Sequence, residues 1–173
     1  MMNQDELNFY FKNIWPGGVQ NFRKTGLSIA DNINPEESVL DVGCGRNLFK
    51  DKIKNLIGID PAFEEADYQT TIEDFRTNEK FDVALCLGSI NFGSLSTITH
   101  QIECIIDLLK PSSRIYWRCN PGLQDHGNSE CTDINFFPWS IEWHRMLADY
   151  YGFKITEIGI EKDKNRIYAT WVR

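Results

Sequence analysis

At 173 residues, 42% hydrophobic and 25% charged, the chain matches the usage of one globular domain with its own core, which argues against wholesale disorder. A formal net charge of −7 opposes an extended phosphate-binding surface, so nucleic acid is not the expected partner. No apolar run approaches the roughly 18 residues of a membrane span, and the acidic opening MMNQDELNFY lacks a signal peptide's basic and apolar regions, so no membrane partner and a cytoplasmic location are expected.

In chain order, Asp5 to Trp15 and Val19 to Asn32 read as helices parted by the breaker Pro16-Gly17-Gly18. They would form a cap or lid, residues 1–34, on a core of residues 35–173 within a single domain. The aromatic cluster Phe9, Tyr10, Phe11, Trp15 and Phe22 is the candidate for covering a ligand. Val39 to Val42 is a short apolar strand, followed by the turn Gly43-Cys44-Gly45 and a brief helix from Asn47 to about Lys54. Leu56 to Asp60 is a second strand closed by Pro61, and Tyr68 to Ile72 a weaker third. Phe81 to Leu87 is nearly continuous in apolar residues, as a strand buried on both faces requires.

Leu95, Ile98, Ile102, Ile105 and Leu109 recur at spacings of three and four, predicting an amphipathic helix that ends before Pro111. Arg114 to Arg118 is the next strand, and Pro138 to Tyr151 a helix stopped by Gly152. Phe153 to Ile160 and Arg166 to Val172 flank the turn-like Lys162 to Asn165, predicting a hairpin. Alternating strands and helices with a closing hairpin imply an α/β fold, doubly wound and mostly parallel. The five cysteines, Cys44, Cys86, Cys104, Cys119 and Cys131, are odd in number and lie mostly in apolar segments, which favours reduced thiols over a disulfide framework.

Gly43 and Gly45 stand where a buried strand must turn sharply and let a ligand approach its backbone. About 20 residues on, Asp60 ends the second strand, where a carboxylate can accept hydrogen bonds from both hydroxyls of an adenosine ribose. Leu48 replaces the third glycine of a dinucleotide fingerprint, and no Lys-Ser/Thr pair follows the glycines as a phosphate loop would need.

Val39-Leu40-Asp41-Val42-Gly43-Cys44-Gly45, Ile57-Gly58-Ile59-Asp60 and Phe81-Asp82-Val83-Ala84-Leu85 resemble the successive motifs of class I S-adenosylmethionine-dependent methyltransferases over roughly residues 37–173. The resemblance implies a seven-stranded Rossmann-like sheet with S-adenosyl-L-methionine as cofactor. Asp41, Gly43, Cys44 and Gly45 would lie near the methionine end, Asp60 and Pro61 by the ribose, Thr71, Ile72 and Glu73 around the adenine, and Gly88 beside the cofactor. Asn47 stands where the family often has a third glycine, and Thr71 where an acid often meets the adenine.

On the acceptor side, Asn91 follows the fourth predicted strand without the Asn/Asp-Pro-Pro-Tyr/Phe motif of amino-methylating nucleic-acid enzymes. The polar loop Arg118 to Asn128 follows the fifth. Arg118 is a candidate to orient a single carboxylate, and Asp125 or His126 to take a proton. A small-molecule acceptor fits these features better than a nucleic acid. Cys119, His126, Cys131 and His144 lack paired metal-ligand spacing, so no metal is expected. A noncatalytic module of the same fold and another nucleotide-dependent enzyme stay open as alternatives.

Overall fold

The computed structural model describes residues 3–14, 22–122, 134–161 and 165–173. Six strands form one sheet: β1 Val39–Val42, β2 Leu56–Ile59, β3 Phe81–Leu87, β4 Leu109–Cys119, β5 Lys154–Glu161 and β6 Arg166–Val172. Their order is β2-β1-β3-β4-β6-β5, with β2, β1, β3 and β4 parallel and β6 antiparallel to both neighbours. The chain leaves β1 toward one sheet edge and returns on the other side of it as β3. The switch point therefore lies between the carboxyl ends of β1 and β3, where such sheets hold ligands.

Seven strands were expected, and among the described residues six form. Tyr68 makes a single parallel bridge to Ile59, and at Thr70 the chain turns back, its N–H donating to the Tyr68 carbonyl at 3.1 Å. The segment stops pairing before a strand can develop.

Helix α1 spans Gln4–Phe9, α2 Leu95–Asp107 and α3 Ile141–Tyr150. The apolar repeat of α2 buries Ile98, Ile102 and Ile105 completely, worth roughly 1.5–3 kcal/mol per side chain removed from water. Ser94 and Ser140 cap α2 and α3 through the N–H groups of Thr97 and Trp143. Both helices pack on the sheet face that carries Leu40, Val42, Ala84, Cys86, Ile115 and Trp117. The opposite face, with Val39, Val83 and Leu85, is covered by Ile29 and Phe49 from short 3-10 segments and by Ile53 just after the second of them.

Those segments are shorter than the helices expected there. After β1 the left-handed residues Gly43, Gly45 and Asn47 consume the connection, leaving one 3-10 turn, Leu48–Asp51. Among its described residues, the second N-terminal segment is helical over Leu27–Asn32, also 3-10. Upstream, the Lys24 and Thr25 N–H groups donate to the Glu161 carboxylate at 3.0 and 3.2 Å, a partner on β5 that a helix would deny them. The first predicted helix changes to a π-helical turn over Tyr10–Ile14. Among the described residues, no helix is long and apolar enough to cross a membrane.

Candidate functional site

A cleft of about 990 Å³ opens at the switch point, floored by the turns after β1 and β3 and walled by α1, β4 and β6. The turn after β1 owes its shape to backbone chemistry. Gly43 and Gly45 adopt φ of 71° and 55°, which side chains disfavour, and the Gly43 and Cys44 N–H groups both donate to the Ile59 carbonyl at 2.8 and 3.0 Å. Asn47 is left-handed as well, with φ 57°, a conformation asparagine tolerates better than most residues. That explains how it replaces the glycine often found there.

The two glycines do different work. A Cβ on Gly43 would overlap Ser89 Cβ, closer than the 3.0 Å that real Cβ atoms keep, so this glycine lets the β1 and β3 turns meet. A Cβ on Gly45 or Gly88 would meet nothing within 4 Å, and both residues line the cleft. Gly58, inside β2, was not singled out from sequence. A Cβ there would strike the Asn47 side chain and come within 2.9 Å of Cys44 Sγ, so it seats the turn from behind. A glycine inside an apolar strand was the available signal.

Asp60 ties the parts together. Its Oδ2 accepts from the Gly45 N–H at 2.9 Å, and its Oδ1 from Ala62 and Phe63 at 2.8 and 3.1 Å. An ionised carboxylate has about four acceptor positions, so three are filled and one, on Oδ2, remains. Burial raises the Asp60 pKa, and the three backbone donors oppose that rise. Asp41 is 3% exposed and stands behind the turn, outside the cleft lining. Burial, then the charge of Asp60, pushes its pKa up to about 7.

Pro61, Ile72 and Glu73 form one end of the cleft with Thr71. There Gln101, reaching from α2, donates to Glu73 Oε1 at 2.7 Å while its own Oε1 is buried without a donor. Gln101 and Ser89, whose hydroxyl is likewise buried and unpartnered, also line the cleft and were missed from sequence. Their helix and loop positions carried no local signal.

Asn91, expected on the acceptor side, is buried and its amide is engaged. Nδ2 donates to the Gly88 carbonyl at 2.9 Å, and Oδ1 accepts from the Asn120 N–H at 2.9 Å, linking the loops after β3 and β4. Arg118 reaches the cleft, where Phe22 lies 3.9 Å from its guanidinium and Glu161 3.8 Å from its Nε. Burial, then the nearby charge of Arg166, lowers its pKa to about 10. Asp125, His126 and Cys131 lie outside the described residues, as does Trp15. His144 sits away from the cleft, stacked on Trp139 and edge-on to Trp117 and Trp171. No cluster of three potential metal ligands occurs among the described residues. Of the aromatic cluster, Tyr10, Phe11 and Phe22 line the cleft while Phe9 points to solvent.

The sequence matches no family model and no curated protein. Solved structures do match. The 1,6-didemethyltoxoflavin-N1-methyltransferase of Burkholderia thailandensis, solved with 1,6-didemethyltoxoflavin and S-adenosylhomocysteine, superposes with a TM-score of 0.74 at 14% identity, covering 98% of this chain and 86% of that one. This chain has the methyltransferase fold. Magnesium protoporphyrin IX methyltransferase from Synechocystis, bound to S-adenosylhomocysteine, superposes at 0.66 and 15% identity over 99% of this chain and 100% of that one. An S-adenosylmethionine-dependent methyltransferase from Clostridium acetobutylicum superposes at 0.65 and 14% identity over 98% of both chains. The likeness to these folds covers 98–99% of this chain, reaching ahead of β1.

Proposed function

We propose that the chain is an S-adenosylmethionine-dependent methyltransferase acting on a small molecule. The observation that carries this reading is the switch-point cleft itself, where Gly45 and Gly88 open onto space and Asp60, tied to the Gly45 N–H, keeps one acceptor position. Neighbours of the same fold hold S-adenosylhomocysteine, one of them together with 1,6-didemethyltoxoflavin.

The residues fit such a cofactor. Gly45 and Gly88 would border the methionine moiety, and Asp60 would take a ribose hydroxyl. Ile72 offers apolar surface for the adenine, and Gln101 Oε1 an unused acceptor for an amino group. S-adenosylmethionine supplies a methyl group already activated on a sulfonium, so the protein's work is alignment and exclusion of water. Asn91 serves alignment by fixing the β3 and β4 loops to each other. Residues of α1 and Phe22 serve exclusion by walling the cleft, as a cap over the acceptor would.

Calorimetry with S-adenosylmethionine, S-adenosylhomocysteine and NAD tests the reading directly. Binding of the first two and not the third is expected. Binding of NAD alone, or of none, would overturn it, and transfer of labelled methyl to DNA or RNA would overturn the small-molecule acceptor.

A further inference from the structure

We infer that the acceptor is a planar aromatic molecule carrying one carboxylate, held by Arg118 against an aromatic wall. This deepens the methyl-transfer reading and rests on it only for what happens to the bound acid.

The starting point is an unspent cation. Arg118, at the carboxyl end of β4, keeps a side chain only 15% exposed, and its buried Nε donates to nothing. Among the described residues no group accepts a hydrogen bond from its guanidinium. Glu161 at 3.8 Å is within ion-pair range but too far for a hydrogen bond, and its oxygens already accept from Lys24, Thr25 N–H and the Thr25 hydroxyl, the last at 2.6 Å. A buried N–H left unpaired costs stability unless something else supplies an acceptor. Arg118 lines the cleft, so a ligand can.

Charge and shape narrow that ligand. Arg166, on the neighbouring β6, lines the same wall and repels Arg118. The two guanidiniums put positive charge on this wall of the cleft, which suits an anionic group on the ligand. Glu6 of α1 also lines the cleft and is exposed. Phe22 covers one face of the Arg118 guanidinium and leaves its edge, the geometry that takes a carboxylate in bidentate fashion.

Beyond the arginines the lining turns aromatic. Phe11 meets Phe92 edge-on at 5.5 Å between centroids, and Phe92 lies 5.2 Å from Phe136. Such a wall favours a flat ring through stacked and edge contacts. Arg118 pairs in register with Leu87, directly before Gly88, so an acid anchored there extends its ring along the carboxyl ends of β4 and β3 toward the glycine turn.

The test is calorimetry with benzoate, 4-hydroxybenzoate and indole-3-carboxylate, each beside its carboxamide, with phenyl phosphate as the dianion, in the presence and absence of S-adenosylhomocysteine. At least one carboxylate is expected to bind, its carboxamide at least tenfold more weakly. Arg118→Met should weaken the carboxylate at least tenfold while leaving carboxamide and S-adenosylhomocysteine affinities unchanged. Equal affinity for acid and amide, binding of no carboxylate, or tighter binding of phenyl phosphate would overturn the inference. The acid-against-amide comparison on the unaltered chain decides even where the variant does not fold. Carboxylate binding without S-adenosylhomocysteine binding would uphold the anion site and sink the methyl-transfer reading instead.

Discussion

Replacing Gly43 and Gly45 separately by alanine should separate folding from binding. Both residues occupy left-handed backbone, so each alanine carries a strain of about 1–2 kcal/mol. At Gly45 the new methyl meets nothing, and strain is the whole effect. At Gly43 it overlaps Ser89 Cβ, and forcing the β3 turn away adds an overpacking term of about 1–3 kcal/mol. For a domain of this size, where 1 kcal/mol moves the melting temperature by about 2–4 °C, Gly45→Ala should melt about 2–8 °C lower and Gly43→Ala about 4–20 °C lower. Thermal denaturation measures both. Removing the opposing Cβ with Ser89→Gly in the Gly43→Ala background should recover the overpacking part and leave the strain, a coupling that a double-mutant cycle isolates. In calorimetry the order reverses, with the Gly45 variant losing S-adenosylhomocysteine affinity while staying folded. Equal melting temperatures for the two alanines, or no coupling to Ser89, would refute the division of labour.

His144, buried among tryptophans, has its pKa lowered to about 3 by burial. The unfolded chain takes up a proton below pH 6.5 that the folded chain refuses, so this group's contribution is present above pH 6.5 and lost at about 1.4 kcal/mol per pH unit as pH falls toward 3. His144→Phe should remove that contribution, so that in urea titrations the variant loses stability as pH rises from 4.5 to 6.5 relative to the original chain, and an unchanged pH dependence would contradict it. Asp41 acts in the opposite sense. Its raised pKa makes the folded chain hold a proton that the unfolded chain releases, so its stabilisation is full below about pH 4 and lost as pH rises toward 7. Asp41→Asn should therefore make the protein more acid-sensitive than the original chain, in which the two slopes offset each other. Asp60→Ala should weaken S-adenosylhomocysteine binding about tenfold or more and also lower the melting temperature, because three backbone N–H groups lose their acceptor. Normal melting with full affinity in that variant would rule out its role as a tie.

Where local pattern and tertiary demand agree, the sequence was explicit. The alternation of Ile167, Ala169 and Trp171 is the buried face of β6, and the unbroken apolar run Val83 to Cys86 is the most enclosed part of the sheet. Long-range contacts account for the differences. Glu161 draws the Lys24 and Thr25 backbone out of a helix from far along the chain, which no window of local sequence reveals. The strand expected at Tyr68 ends because Thr70 turns back on it. In the site, the spacing of Gly43, Gly45 and Asp60 was readable because adjacent parallel strands fix it. Gln101 and Arg166 were not, because a helix side chain and a distant hairpin residue enter the cleft only once the fold is closed.

The Asn91 amide has a consequence for redesign. Bonded to Gly88 on one side and Asn120 on the other, it ties the turn after β3 to the first residue after β4, both of which line the cleft. Phe92 and Phe136, joined by an antiparallel bridge, both line the cleft beside this tie, so exchanging them would change its shape without touching the Asn91 bonds. Such a pocket invites retuning by exchange of individual side chains, with the backbone left as an unaltered chassis.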